Sequence, residues 1–334
     1  MIHDFLVIGG GIGGASISYF LHRAGYSVAL LEKRGLGFGG SGAAGAFIHW
    51  KLEKDGDLAK LNNLATSFSL KFYEKYFSKH FHKAVSDYYK IDGDITKVIS
   101  GMVDATLILK AMTKGIRVYE TNVEELKRVS GVWNLNGHEG RNIIFATGAF
   151  HFPIHEPYIQ IRPIWGQRID VHSPTKTRLI QHNEVSISQS IWGIHRIGAT
   201  HHRNIFSKEV SYEESDRLLE KALKIVNLED AVISKTYSGT RSASTDFFPI
   251  LGKIVNSNET MQKFPQIRNG RAYSHEDYVY YKNIYLFTGF GGHGFTLAPY
   301  LSYKFVQNLK SGKEFLDDFV EPHRFFTRWV KKQG

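Results

Sequence analysis

Arg241 has the clearest chemical task in this sequence. It stands in GTRSASTDFFPILG (239–252), among small and apolar neighbours. A guanidinium in that setting can clamp a carboxylate through two parallel hydrogen bonds, or it can serve a structural ion pair. The other candidates are two glycine loops. Gly9-x-Gly11-x-x-Gly14 lies between apolar residues 2–8 and a helically spaced stretch, Ala15 to Ala24, that Gly25 stops. Glycines there permit a tight turn and a close backbone approach to a pyrophosphate. The helix N-terminus adds free N–H groups and partial positive charge. The next strand, SVALL (27–31), ends at Glu32, 21 residues after Gly11. A carboxylate at that point can accept hydrogen bonds from a ribose, and it disfavours the 2′-phosphate of NADP. Strand, loop, helix, spacing and acid together predict a dinucleotide site.

The segment GGSGAAGA (39–46) separates FAD from NAD. NAD dehydrogenases rarely need a second glycine-rich run directly after the acid. A flavin does, because its ribityl chain and ring continue along the backbone past the pyrophosphate. A further strand, RNIIFATGAF (141–150), ends in the turn Ala146-Thr147-Gly148, which fits beside the same dinucleotide. FAD is therefore the expected cofactor. Its expected contacts near the first loop are Gly9, Gly11, Ile12, Gly14, Glu32 and Lys33. Farther along they are Ser41, Gly42, Ala44, Gly45, Val123 and the 146–148 turn. The second loop runs from Gly289 to Gly294 and also spells G-x-G-x-x-G. A separate NAD site is one reading, but no second strand ending in an acid follows its helix. The preferred reading is a helix N-terminus aimed at the flavin, with Gly291, Gly292, His293, Gly294, Phe295 and Thr296 beside it. The dipole there would stabilise negative charge on the reduced ring.

These residues need a scaffold. A chain of 334 residues exceeds one ordinary core, and 42% hydrophobic content supports a globular protein. Residues 57–82 read as a long amphipathic helix with Leu58, Leu61, Leu64, Phe68, Phe72 and Tyr76 on one side. A strand near Tyr88 to Ile91 and a helix from Asp104 to Thr113 follow, and Val118 and Val123 fall in short strands. From about 159 to 255 short alternating segments dominate. One helix interrupts them, from a capping box at Ser211 and Glu214 to about Val226. Residues 256–282 read as an irregular insertion, 284–289 as a buried strand and 295–310 as a helix. The expected fold is α/β and α+β, a Rossmann-like FAD-binding domain with a second, mostly antiparallel substrate domain, as in glutathione-reductase-type FAD folds. The expected division is 1–85, 95–158 and 283–334 for the first domain, with 86–94 and 159–282 for the second.

Composition narrows the setting. There is no cysteine, which excludes disulfides, cysteine-ligated metals and a cysteine-linked flavin. No apolar run is long enough to span a membrane, and MIHDFLVIGGG reads as a first strand rather than a signal peptide. A cytoplasmic location is expected. The net charge is +10. Such an excess is either a solvated basic surface or a means of attracting polyanions such as nucleic acid. Among 16 histidines, His80-x-His82 and His201-His202 lack the spacing of metal ligands, so no metal is expected. His49 and His293 border glycine loops and are candidates for the substrate side; His275 is a third histidine of interest.

Together these motifs resemble the FAD-dependent D-amino-acid oxidase family, which includes glycine and sarcosine oxidases. The resemblance covers nearly the whole chain. Within the family it runs to the flavin domain of bifunctional tRNA 5-methylaminomethyl-2-thiouridine enzymes. Ser41-Gly42, Gly45-Ala46, Gly166-Gln167, Arg241 to Asp246 and Gly289 to Pro299 match that domain's pattern. The resemblance implies oxidation beside an amine nitrogen. It implies removal of the carboxymethyl group of carboxymethylaminomethyl-uridine in tRNA, with Arg241 on the substrate carboxylate. Gln167, His49 and His293 are expected near the chemistry. The chain departs from the pattern at Phe47-Ile48-His49-Trp50, where a Tyr-Pro pair is usual. Methylation after this step would need a separate methyltransferase. A free amino-acid oxidase acting on glycine, sarcosine or a D-amino acid is the alternative, and a non-catalytic flavin-fold binding protein is the second.

Overall fold

A computed structural model describes residues 1–52, 55–89, 95–150, 152–206 and 209–333. Two sheets organise it. The first has eight strands. Its central path runs Ile250–Val255, Tyr280–Thr288, His138–Phe145, Ile2–Ile8, Val28–Glu32, Arg117–Glu120. The four contacts from Tyr280–Thr288 through to Arg117–Glu120 are parallel. Parallel strands buried on both faces should be continuously apolar, and Leu6, Val7, Leu30, Leu31, Ile143 and Ile144 are fully buried. Helices Ile12–Arg23, Asp57–Tyr76, Ala105–Met112 and Gly294–Lys310 contribute to the core on one face. Ser257–Lys263 and His323–Val330 contribute to that on the other.

The second sheet has nine strands. Its spine is Arg162–His172, which pairs antiparallel with Val232–Ala243 along its length and with Ile194–Gly198 on the other side. It is antiparallel as expected except where Leu179–His182 runs parallel to Phe81–Tyr89. Helix Tyr212–Leu223 covers this sheet through Leu218 and Ala222. Ser211 caps it by accepting from the Glu214 N–H at 3.3 Å. The reciprocal half of the capping box is not made, because the Ser211 N–H is taken by Gln167.

Sheet membership departs from the expected division at several strands. Phe47–Ile48, Phe81–Tyr89 and Ile95–Val103 pair with one another in the second sheet, although 1–85 and 95–158 are expected in the first domain. Ile250–Val255 pairs antiparallel with Tyr280–Thr288 in the first sheet, although 159–282 was assigned to the second. Residue texture does not report which sheet an antiparallel strand joins; hydrogen-bond partners do. The expected strand end at Ile91 lies outside the described residues.

Local structure differs from the sequence expectations as well. The long helix ends at Tyr76, a short 3-10 turn follows, and Phe81 already opens a strand. Leu64 and Tyr76 face solvent, whereas Ala59, Leu61, Ala65, Ser69 and Tyr73 are buried. The small residues let this helix approach the last long one. There the Ser69 hydroxyl donates to the Thr296 carbonyl at 2.7 Å and the Tyr73 hydroxyl to the Phe295 carbonyl at 2.9 Å. Both bonds fix the first turn of Gly294–Lys310. Residues 256–282 are more regular than expected, with a helix at Ser257–Lys263 capped by Asn256. Val123 lies in a loop rather than a strand.

Candidate active site

Backbone alone builds one wall of the main cleft. Gly9 has φ +109°, and a Cβ there would overlap the Ala146 carbonyl. A Cβ on Gly14 would overlap the Gly9 carbonyl oxygen. First strand, first helix and the strand His138–Phe145 thus meet at distances that only glycine allows. Gly11 offers the helix no side-chain cap, and apart from the Ile12 N–H its first-turn N–H groups stay available to an anion. The Glu32 carboxylate accepts from the Gly10 N–H at 2.5 Å and the Arg34 N–H at 2.9 Å. The Ser41 hydroxyl accepts from the Ile12 N–H at 3.0 Å, which ties the second glycine-rich run to the first.

The cleft has a volume of about 480 Å3. It runs from Glu32, Lys33 and the 146–148 turn past Ser41, Ala44 and Gly45 to Gly291, Gly292 and His293. The second glycine loop sits back to back with the first: a Cβ on Gly294 would meet Ile12, and one on Gly13 would meet Phe290. Two helix N-termini therefore open into one cavity.

Arg241 reaches the cleft from the second sheet, opposite Ile164 in the register of Arg162–His172. Its Nη1 donates to the Thr200 carbonyl at 3.1 Å. A Cβ on Gly166 would overlap that guanidinium, so the glycine of the Gly166-Gln167 pair makes room for it. Burial alone pulls the Arg241 pKa down to about 10. No carboxylate forms an ion pair with it among the described residues. An unpaired cation withdrawn from water is costly, and the cost is offset when a ligand carboxylate arrives.

Histidines line the rest of this end. His49 lies tilted 4.6 Å from His182 and edge-on 5.4 Å from His293, measured between ring centroids. Burial holds His182 and His293 neutral, with pKa values near 3, and Lys51 adds to both shifts. Burial also lowers His49, with His182 next, and takes His201 to about 4, with Arg241 next. The neighbourhood resists further positive charge and so favours an amine in its neutral form. The same shifts set a pH dependence of stability. In the unfolded chain the rings titrate near 6.5, so below that pH they bind protons that the folded chain refuses. The contribution of these two rings is expected to hold above about pH 7 and fall from pH 6.5 toward 3. The loss at pH 5 is about 2 kcal/mol for each of His182 and His293. Burial raises the Glu321 pKa to about 8, which weakens the fold as pH rises and opposes this trend. Urea unfolding at pH 7.5 and 5 of wild type and of His293→Gln isolates the ring; the same pH dependence in both would place it in water.

Most of the residues expected at the site converge here. Gly9, Gly11, Ile12, Glu32, Lys33, Ser41, Ala44, Gly45 and Val123 line the cleft. So do Ala146, Thr147, Gly148, Arg241, His49, Gly291, Gly292, His293, Gly294 and Phe295. Gly14, Gly42 and Thr296 stand behind the wall and shape it. Gly42 closes a turn by donating to the Gly37 carbonyl, and Thr296 is buried in the first turn of its helix. Gln167 does not join them. Its side chain is buried and committed to the capped helix: Nε2 donates to the Ser211 carbonyl at 2.7 Å and the Ser215 hydroxyl at 3.0 Å, and Oε1 accepts from the Ser211 N–H at 2.8 Å. It braces Arg241's sheet rather than facing the cleft. His275 also lies elsewhere, stacked parallel on His323 at 4.1 Å with Asp318 beside both. One ligand-capable atom from each of His275, Asp318 and His323 lies within 4.8 Å of the others, away from the cleft. Sequence reading missed Lys51 and His201 as wall residues, and His182 as the ring packed against His49, because the approach of distant segments brings them in without a local signal of that role.

A model of the family described as FAD dependent oxidoreductase, DAO, matches residues 4–88 and 100–307. The tRNA 5-methylaminomethyl-2-thiouridine biosynthesis bifunctional protein MnmC of Leptospira interrogans (strain Fiocruz L1-130) is 22% identical over 400 aligned residues, covering 99% of this chain and 62% of that protein. MnmC of Legionella pneumophila (strain Philadelphia 1) is 25% identical over 176 residues, covering 50% and 26%. The chain thus spans at most about three fifths of these relatives' length. Among solved structures, L-proline dehydrogenase from P. horikoshii superposes with a TM-score of 0.75 at 18% identity, covering 97% of this chain and 98% of that one. Glycine oxidase from Bacillus cereus ATCC 14579 gives 0.70 at 19% identity, covering 95% and 99%. These likenesses show the fold.

Proposed function

The chain belongs to the FAD dependent oxidoreductase family, DAO, and on that premise we propose that it removes the carboxymethyl group from carboxymethylaminomethyl-uridine in tRNA. The observation that carries the reading is Arg241, a largely buried cation without a carboxylate partner among the described residues, in the same cleft as the two glycine loops. The residues fit FAD. Overlaps at Gly9 and Gly14 leave a side-chain-free cradle at a helix N-terminus, and Glu32 stands at the ribose end. When bound, FAD accepts two electrons from a C–H bond beside an amine nitrogen.

This chain's residues bind and orient. Arg241 grips the glycine-like carboxylate and sets the methylene against the ring position. Lys51, Arg241 and the neutral histidines disfavour an ammonium, which keeps the nitrogen lone pair free. The N-terminus of helix Gly294–Lys310 opens into the Arg241 end of the cleft, and its dipole would favour negative charge on a reduced flavin held there. The carbon loses a hydride and the nitrogen a proton, and the resulting imine takes up water to yield glyoxylate and the aminomethyl nucleoside.

The tRNA substrate is supported by the net charge of +10, which a free amino acid does not call for, and by the names of the MnmC relatives. A cytoplasmic location and a methyltransferase acting afterwards go with this reading. No helix among the described residues is long and apolar enough to cross a membrane. The test compares nucleosides of bulk tRNA from the source organism with and without the gene. Carboxymethylaminomethyl-uridine should accumulate in the deletion. An unchanged level would leave the free amino-acid oxidase as the reading.

A further inference from the structure

Ala46 sits in the cleft wall at φ +55°, a left-handed conformation that an alanine adopts only when its surroundings hold it there. Both carbonyls flanking its α-carbon are held from the far side. The Gly45 carbonyl accepts from Arg196 Nη1 at 3.0 Å, and the same nitrogen donates to the Val103 carbonyl at 3.0 Å. The Ala46 carbonyl accepts from the Val103 N–H at 3.1 Å. Arg196 is itself anchored between Asp104 at 3.7 Å and Asp170 at 3.8 Å. Two residues before Gly45, Arg168 Nε donates to the Ala43 carbonyl at 3.0 Å.

The direction of one N–H follows. A trans peptide points its N–H opposite its C=O. With the Gly45 carbonyl turned to Arg196, the Ala46 N–H is turned away from Arg196. Gly45 and Ala46 line the cleft and Arg196 does not, so that direction is the cleft. Ala46 is 6% exposed, and among the described residues no group accepts from its N–H. A withdrawn donor without an acceptor, beside a strained φ, marks a position prepared for a ligand.

We propose that Arg196 is a positioning residue that locks the Gly45–Ala46 peptide so that the Ala46 N–H donates to the ring of bound FAD. The guanidinium never touches the cofactor. It fixes the peptide's orientation, and its charge polarises the carbonyl end so that the positive N–H end faces the ring. The cluster Arg168, Arg196, Asp170 and Asp104 thereby joins the second sheet to the cofactor loop.

The test uses Arg196→Lys holoprotein against wild type. Lysine keeps the positive charge beside Asp104 and Asp170 but falls short of the two carbonyls that Nη1 reaches. Three readouts are needed: thermal unfolding of the apoprotein, the FAD dissociation constant, and the visible absorption spectrum of the bound flavin. The expected result is near-wild-type unfolding with about tenfold weaker FAD binding and a shifted flavin spectrum. Wild-type affinity and spectrum would overturn the proposal, as would a loss of affinity that only tracks a loss of fold. If Arg196→Lys does not fold, the charge-balanced pair Arg196→Gln with Asp104→Asn is read the same way. Wild-type FAD binding is the control that keeps failure here distinct from failure of the cofactor assignment.

Discussion

Arg241→Met is expected to lower kcat/KM for carboxylate-bearing amines by about 2–5 kcal/mol, roughly thirtyfold to several thousandfold. The range follows from removing one partner of a charge pair formed within a desolvated cleft. Most of the loss should fall on KM, because the carboxylate is held in ground and transition states alike. Some should reach kcat, since the same grip aligns the C–H bond. Arg241→Lys should lose less, as it keeps the charge and forfeits only the planar fork. The opposite sign is expected for the fold. Arg241 is withdrawn from water, its pKa falls to about 10 through burial alone, and its Nη1 donates to the Thr200 carbonyl. Replacing it with an apolar side chain removes a desolvation cost, so thermal stability should not fall. A variant that loses stability yet keeps kcat/KM would recast Arg241 as a structural residue.

Gly14→Ala is expected to yield colourless protein destabilised by about 3 kcal/mol or more, the range of severe overpacking. Its Cβ would overlap the Gly9 carbonyl oxygen, which is backbone and cannot turn aside. Gly9 cannot retreat either, because it already lies against the Ala146 carbonyl. The helix Ile12–Arg23 would have to shift, taking with it the N–H groups that face the pyrophosphate position. FAD content by absorbance and urea unfolding read the two effects separately. Normal FAD content in a stable protein would show that the close approach is not needed.

What the sequence disclosed, and what it hid, follows from range. The strand Ile2–Ile8, its loop, the helix Ile12–Arg23 and Glu32 form one contiguous unit, so spacing alone declared it. The second loop before Gly294–Lys310 was legible for the same reason. Arg241 stood out by its unusual neighbours. Gln167 misled because the side of a strand that a residue faces depends on register, and here the register turns it toward Ser211 and Ser215. His201 and Lys51 carry no local mark of a place in the cleft wall; the approach of distant segments brings them there, and brings His182 against His49. Ile95–Val103 and Ile250–Val255 were assigned to the wrong sheets because antiparallel strands of similar texture can join either one. Leu64 and Tyr76 were expected to be buried, but small residues rather than large ones let two helices approach closely.

The most direct measurement mixes FAD-loaded protein anaerobically with tRNA carrying carboxymethylaminomethyl-uridine and, separately, with glycine, sarcosine and D-alanine, while following the flavin absorbance. The account predicts bleaching by the tRNA, with glyoxylate released in step, and no comparable bleaching by the free amino acids. A flavin that stays oxidised with the tRNA and is reduced by a free amino acid would contradict it.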